Sequence, residues 1–201
     1  MKTFLLSIFI LASAFMFGQN DYNIQIDNQV LDIALDQEYQ ITIKGKQHTL
    51  KVSAKDTLTY QGKLFSFKHS KDYKVTKTAI DSGIDQQMIM AADGTGLAIQ
   101  QYHNFDPTML NEMMMAEVTK ESLSYGYEME RQDYERKLSS GHDITVNRAV
   151  LKYKGDTNIY EIASLGNKDE GIIILTMKMD DNQDSEGQKV IDTMWETLWY
   201  K

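Results

Sequence analysis

The chain has 201 residues, 21 Lys+Arg against 29 Asp+Glu, a formal net charge of −8, and no cysteine. Without cysteine there is no disulfide scaffold, thiolate zinc site, iron–sulfur cluster, catalytic thiol or lipidated cysteine. An acidic chain lacks the basic footprint of a nucleic-acid binder, and 25% charged residues is ordinary for a soluble globular domain.

The N-terminus carries one positive charge at Lys2, then an apolar run from Phe4 to Phe17 with small residues near its end. That order predicts a secretory signal peptide over residues 1–18. The run is roughly 21 Å long as a helix, short of the ~30 Å hydrocarbon core of a bilayer. Cleavage after Ala14 fits the Ala12-Ser13-Ala14 pattern, and cleavage after Gly18 leaves Gln19 first. Removing Lys2 brings the net charge to −9, and no other stretch reaches the apolar length of a membrane span. The expected protein is exported, periplasmic or extracellular.

Turn signals then recur at short intervals. Gly45, the Asp93-Gly94-Thr95-Gly96 run, Gly155 and the Gly166–Gly171 segment each separate strand-like runs, so each predicts a hairpin. Tyr39–Ile43 pairs with Thr49–Ser53 on this reading, and Gln86–Met90 with Leu97–Tyr102. Thr145–Tyr153, Asn158–Leu165 and Gly171–Met179 form a three-stranded meander. In Ile172–Met179 the apolar run is nearly continuous, as in a strand buried on both faces, which predicts the sheet centre there.

Two helices are expected. The first starts at Asp106-Pro107, an N-cap followed by proline at the first helical position, and runs to about Ser124. It has Leu110, Met114, Val118 and Glu121 on one face. The second opens at Ser185-Glu186-Gly187-Gln188, a capping-box pattern, and carries Val190, Ile191, Met194, Trp195, Leu198 and Trp199 as an apolar stripe. Its last residues fit a short strand as well, and 127–138 fits both periods. About eight to ten strands with two helices and no repeated strand–helix–strand unit imply an α+β fold. The expectation is a curved antiparallel β-sheet built from hairpins and a meander, with two main helices packed on it. The expected organisation is a signal peptide over 1–18, an N-terminal β extension over 19–63 and one α+β domain over 64–201.

From Leu64 onward the order of elements resembles the PsbP-like superfamily, which includes the extrinsic photosystem II subunit, a small Ran-binding nuclear import factor and DcrB-type bacterial envelope proteins. The similar parts are Phe65–Val75, the Asp93–Gly96 hairpin, the helix after Asp106, Thr145–Asp156, Gly171–Met179 and the closing helix with Ile191-Asp192-Thr193-Met194-Trp195. His69 and Ser70 stand where that superfamily usually has a proline, with Tyr73 after them. The resemblance implies an antiparallel sheet with helices over it, used mainly as a non-catalytic binding or assembly module. It carries no catalytic residue with it. The Phe17-Gly18-Gln19 end of the leader resembles signal ends of secreted proteins of flavobacteria and their relatives.

Residues that bear chemistry give weaker patterns. His48, His69, His103 and His142 show no local metal-ligand spacing. A metal site at His69 and His103 requires that the fold bring them together. The acidic loop 180–186 opens like a calcium loop, but Ser185 replaces the glycine and Ile191 the bidentate glutamate. Met109, Met113, Met114 and Met115 are read first as flexible core filling and second as an exposed methionine-rich groove for a partner. Ser82 lies outside any nucleophile elbow, and Ser139-Ser140-Gly141-His142 has no ordering acid. The Asp93–Gly96 run joins two strands and is no nucleotide loop. No catalytic, cofactor-binding or metal residue is therefore assigned. The reading is a non-enzymatic binding or accessory protein whose partner is a protein or envelope component. A metal-handling protein using His69 and His103 or the 180–186 loop, and a hydrolase with a site assembled around His103, stand as alternatives.

Overall fold

The computed structural model describes residues 22–180 and 184–201, so the expected leader at 1–18 and its cleavage sites lie outside the described residues. The described residues fall into two compact units that divide between Ala54 and Lys55. In the first, β1 (Tyr22–Ile26) pairs with β2 (Gln29–Ile33), and β3 (Glu38–Ile43) with β4 (Lys46–Lys51). Ile43 lies opposite Lys46, so Lys44 and Gly45 alone make the second turn. Both are left-handed, at φ 49° and 78°, the geometry whose twist matches the flanking strands.

The second unit begins with β5 (Thr57–Gln61) and β6 (Phe65–Ser70), which pair from Thr57 opposite Ser70 to Gln61 opposite Ser66. There follow β7 (Thr76–Asp81), β8 (Ile84–Met90) and β9 (Gly96–Tyr102), then a 3-10 turn (Pro107–Leu110) and α1 (Asn111–Tyr125). After α1 come β10 (Glu128–Arg131), β11 (Tyr134–Lys137), β12 (Asp143–Tyr153), β13 (Asp156–Gly166) and β14 (Gly171–Lys178). The chain closes with α2 (Glu186–Thr197) and β15 (Trp199–Tyr200).

The principal sheet is eight-stranded and antiparallel, in the order β10-β12-β13-β14-β9-β8-β7, with β11 also on β12. Two meanders, β7-β8-β9 and β12-β13-β14, are joined side by side where β9 pairs with β14. The β14 strand thus lies mid-sheet, as its apolar run predicts. β15-β6-β5 form a separate three-stranded sheet. The fold is α+β, mostly antiparallel sheet with two helices. The described strands number fifteen rather than eight to ten. The unforeseen ones are short or polar edge strands, such as β7, whose six residues are all exposed and show no alternation.

Alternation along β14 divides the core in two. Ile172 and Ile174 face α2 and join Phe65, Phe67, Ile99, Val190, Met194 and Trp195 in one cluster. Ile173 faces the other way, with Tyr102, Met115, Leu151 and Ile162. The helix ends follow their caps. Asp106 accepts from the Thr108 N–H and Ser185 from the Gln188 N–H, each satisfying an orphan helical donor. The capping box at α2 is half formed, because the Gln188 amide donates to Asp192 at 2.7 Å instead. At the other end of α1 the chain turns off at Gly126, φ 106°, whose N–H bonds back into the last turn. Gly171 is required by contact: a Cβ there would stand 2.5 Å from Pro107 Cδ and 2.5 Å from the Leu165 oxygen.

Replacing Ile174, fully buried mid-sheet, by alanine is expected to cost about 2–5 kcal/mol in urea unfolding. Ile80→Ala on exposed β7 should stay within about 0.5 kcal/mol.

Candidate functional site

The residues singled out from sequence do not assemble into one site. His48 is exposed on β4. His142 contacts Ser140 Oγ at 3.0 Å and stands edge-on to the Tyr200 ring. His69 is buried, its Nδ1 2.9 Å from the Ser70 carbonyl and its ring near Phe67. His103 has different partners: Nε2 lies 3.1 Å from Asp85 Oδ2, and Nδ1 3.2 Å from the Gln101 amide. His69, His103 and His142 are thus each held by their own neighbours. Among the described residues no group of three or more His, Asp or Glu side chains gathers as a metal site. Residues 181–183 of the acidic loop lie outside the described residues. The hydrogen bond from His103, then that from Lys77, holds Asp85 below the ordinary aspartate value.

The methionines divide between the two readings. Met115 is buried and Met114 half-buried, whereas Met109 is 78% and Met113 59% exposed. Glu121, expected on the packed face, points to solvent, and that face instead carries Met115 and Thr119. The Thr119 hydroxyl donates to the Met115 carbonyl one turn back at 2.7 Å, which lets a polar side chain be buried.

A second, outer row runs from the 3-10 turn along α1: Met109, Met113, Ala116, Lys120 and Leu123, at spacings of four and three, all exposed and apolar except at Lys120. That spacing is the seam of paired helices. Beside it, a groove of about 370 Å³ runs between α1 and β10, with Ala116, Leu123 and Met129 in its lining. Exposed Leu123 and Met129 continue the apolar surface across it. Tyr125, the last residue of α1, packs against Tyr153, centroids 5.6 Å apart.

A charged clamp closes one end of the groove. Arg131 in β10 grips Glu112 of α1 with both terminal nitrogens at 3.0 Å, and Asp133 through Nε and Nη2 at 3.0 and 2.8 Å. Asp133 also accepts from the Arg148 backbone N–H and the Asn147 amide. Arg131 lowers the Glu112 carboxyl. Burial alone would raise Asp133, but Arg131 and the two neutral donors outweigh it and the net shift is downward.

No family model and no curated protein matches the chain. Among solved structures it is similar to cyanobacterial PsbP (CyanoP) from Synechocystis sp. PCC 6803. That alignment has 10% identity and a TM-score of 0.48, over 75% of this chain and 95% of that one. It is also similar to a protein from Bacteroides thetaiotaomicron VPI-5482, with 13% identity and a TM-score of 0.40, over 73% of this chain. The chain spans about half of that second protein, 48% of its length. At these identities and scores, no role passes from either protein to this chain. No described helix is long and apolar enough to cross a membrane.

Because Glu112 and Asp133 titrate below their ordinary values, the clamp's stabilisation is complete above the ordinary carboxylate range and is lost as pH falls through the depressed values. Glu112 is 72% exposed, so the expected cost of Arg131→Met at neutral pH is only about 1 kcal/mol. The difference between variant and wild type should shrink on acidification below about pH 4, followed by urea unfolding across pH.

Proposed function

We propose that this is an exported, non-enzymatic binding or accessory protein of a bacterial envelope, which holds an amphipathic helix of a partner protein along α1. The observation that carries this reading is the exposed stripe Met109-Met113-Ala116-Leu123 beside the α1–β10 groove. A helix that packs on its own sheet needs one apolar stripe, and the second has no such task. Methionine suits a docking surface, since its unbranched thioether side chain adapts to an incoming shape. The signal-like residues 1–18 support export. Glu112 is already held by Arg131 and Glu117 lies near Lys120, so this face offers a partner chiefly apolar area rather than unpaired charge.

A photo-cross-linking side chain at position 113, used in native envelope extract, should label one discrete partner. The same group at Lys189, exposed on α2, should not label it. Met113→Glu combined with Leu123→Glu should abolish labelling with little change in Tm, since both sites are exposed. Equal labelling from both positions, or a double variant that captures normally, would remove the α1 face from this role.

A further inference from the structure

On the opposite face of the principal sheet, under α2, the apolar core encloses a cluster of polar and charged side chains. Arg148, Glu161 and Thr176 stand in one row across β12, β13 and β14. Two residues further along β14, on the same face, is Lys178, opposite Ile159. Glu161 is 7% exposed and fully engaged. Oε1 accepts from Tyr134 Oη at 3.0 Å and Arg148 Nη1 at 3.1 Å. Oε2 accepts from Thr176 Oγ1 at 3.2 Å and Trp195 Nε1 at 3.3 Å.

The neighbouring donors are left over. Lys178 is 4% exposed, yet its Nζ has no hydrogen-bond partner. Arg148 Nε is likewise buried and unpartnered. Both side chains line a cavity of about 70 Å³, with Gln188 and Ile191 of α2 also in its wall. A buried unpaired donor is costly, and more so on a cationic group. The formal charges around the cavity are Arg148 and Lys178 against Glu161, one positive in excess, within a chain of net charge −8. A water needs only about 10–15 Å³ of such space, so the cavity admits a group of several heavy atoms.

We propose that this chamber is a binding site for a small monoanion of the formate and acetate class, held by Lys178 Nζ and Arg148 Nε. One negative charge neutralises the excess, and an acceptor with two oxygens offers one to each of the orphan donors lining the cavity. Glu161 keeps its own oxygens on its four donors, so the anion does not compete for them. The site is independent of the α1 face.

The test is thermal unfolding of the purified protein in a bulky sulfonate buffer at fixed ionic strength, titrated with sodium formate or acetate. Tm should rise with the logarithm of anion concentration, by about 5–10 °C at about a hundred times Kd. Lys178→Met should lose this response while its anion-free Tm matches or exceeds wild type, because an unpaired buried donor has been replaced by an apolar chain. Should that variant not fold, NMR saturation transfer from wild-type protein to the formate proton decides: transfer displaced by acetate and not by sulfate is expected. A Tm that rises equally in Lys178→Met, rises equally with sulfate, or stays flat in the wild type with no transfer to formate would mean a chamber holding only water, and would overturn the proposal.

Discussion

The carboxylate of Glu161 draws four separate elements onto one point. Its donors come from β11, β12, β14 and α2, and an ionised carboxylate offers about four acceptor positions. A carboxylate this buried is tolerated only when so engaged, which makes the positions of those elements interdependent. Trp195 is the donor that comes from α2, so its indole N–H ties that helix to the sheet. Arg136 then stacks on the other side of the arrangement, 5.0 Å from the Trp195 ring and 5.8 Å from that of Tyr134. Burial, and next the charge of Glu161, pushes the Tyr134 phenol above its ordinary value, so it remains a donor across the physiological range.

With α2 so fixed, the sheet faces do different work. On the α2 side, aromatic and aliphatic side chains from β6, β9, β14 and α2 form a continuous apolar cluster, interrupted by the Glu161 row and the chamber beside it. On the α1 side the cluster is smaller and relies on tyrosine and methionine, with several members only partly buried. α1 is correspondingly held by fewer large side chains and by the Arg131 clamp at its start. An interface of flexible methionines over a sheet packs adequately without demanding one shape. The same residue type on the outer stripe favours a surface that accommodates a second helix.

The two proposed sites therefore sit on opposite faces of one antiparallel sheet and draw on different physics. The α1 face offers apolar area to a macromolecule, where contact surface supplies the driving force. The chamber under α2 offers two buried donors and one surplus charge to something a few atoms in size. Neither requires a nucleophile, an acid–base pair or a metal, and His69 and His103 are engaged in local hydrogen bonds.

Local physics wrote much of the architecture into the sequence. Glycine pairs at Lys44-Gly45 and Lys154-Gly155 specify left-handed turns, Asp106 and Ser185 satisfy helix starts, and the unbroken run Ile172–Leu175 marks a strand with two buried faces. These need only neighbours within a few residues, so they are legible without the fold. Edge strands were not, because β7, β10 and β11 carry polar residues and acquire strand structure only from the partner they pair with. Residues 127–138, which fit either period, became β10 and β11 for that reason. Nor was the chamber. Glu161 and Lys178 share the parity of buried neighbours Ala163 and Ile174 along their strands, which is a signal, but a lysine at a strand end reads equally as solvated. Only the register of β13 against β14, with α2 laid across both, makes it a buried donor without a partner, since burial of a side chain is a property of what covers it.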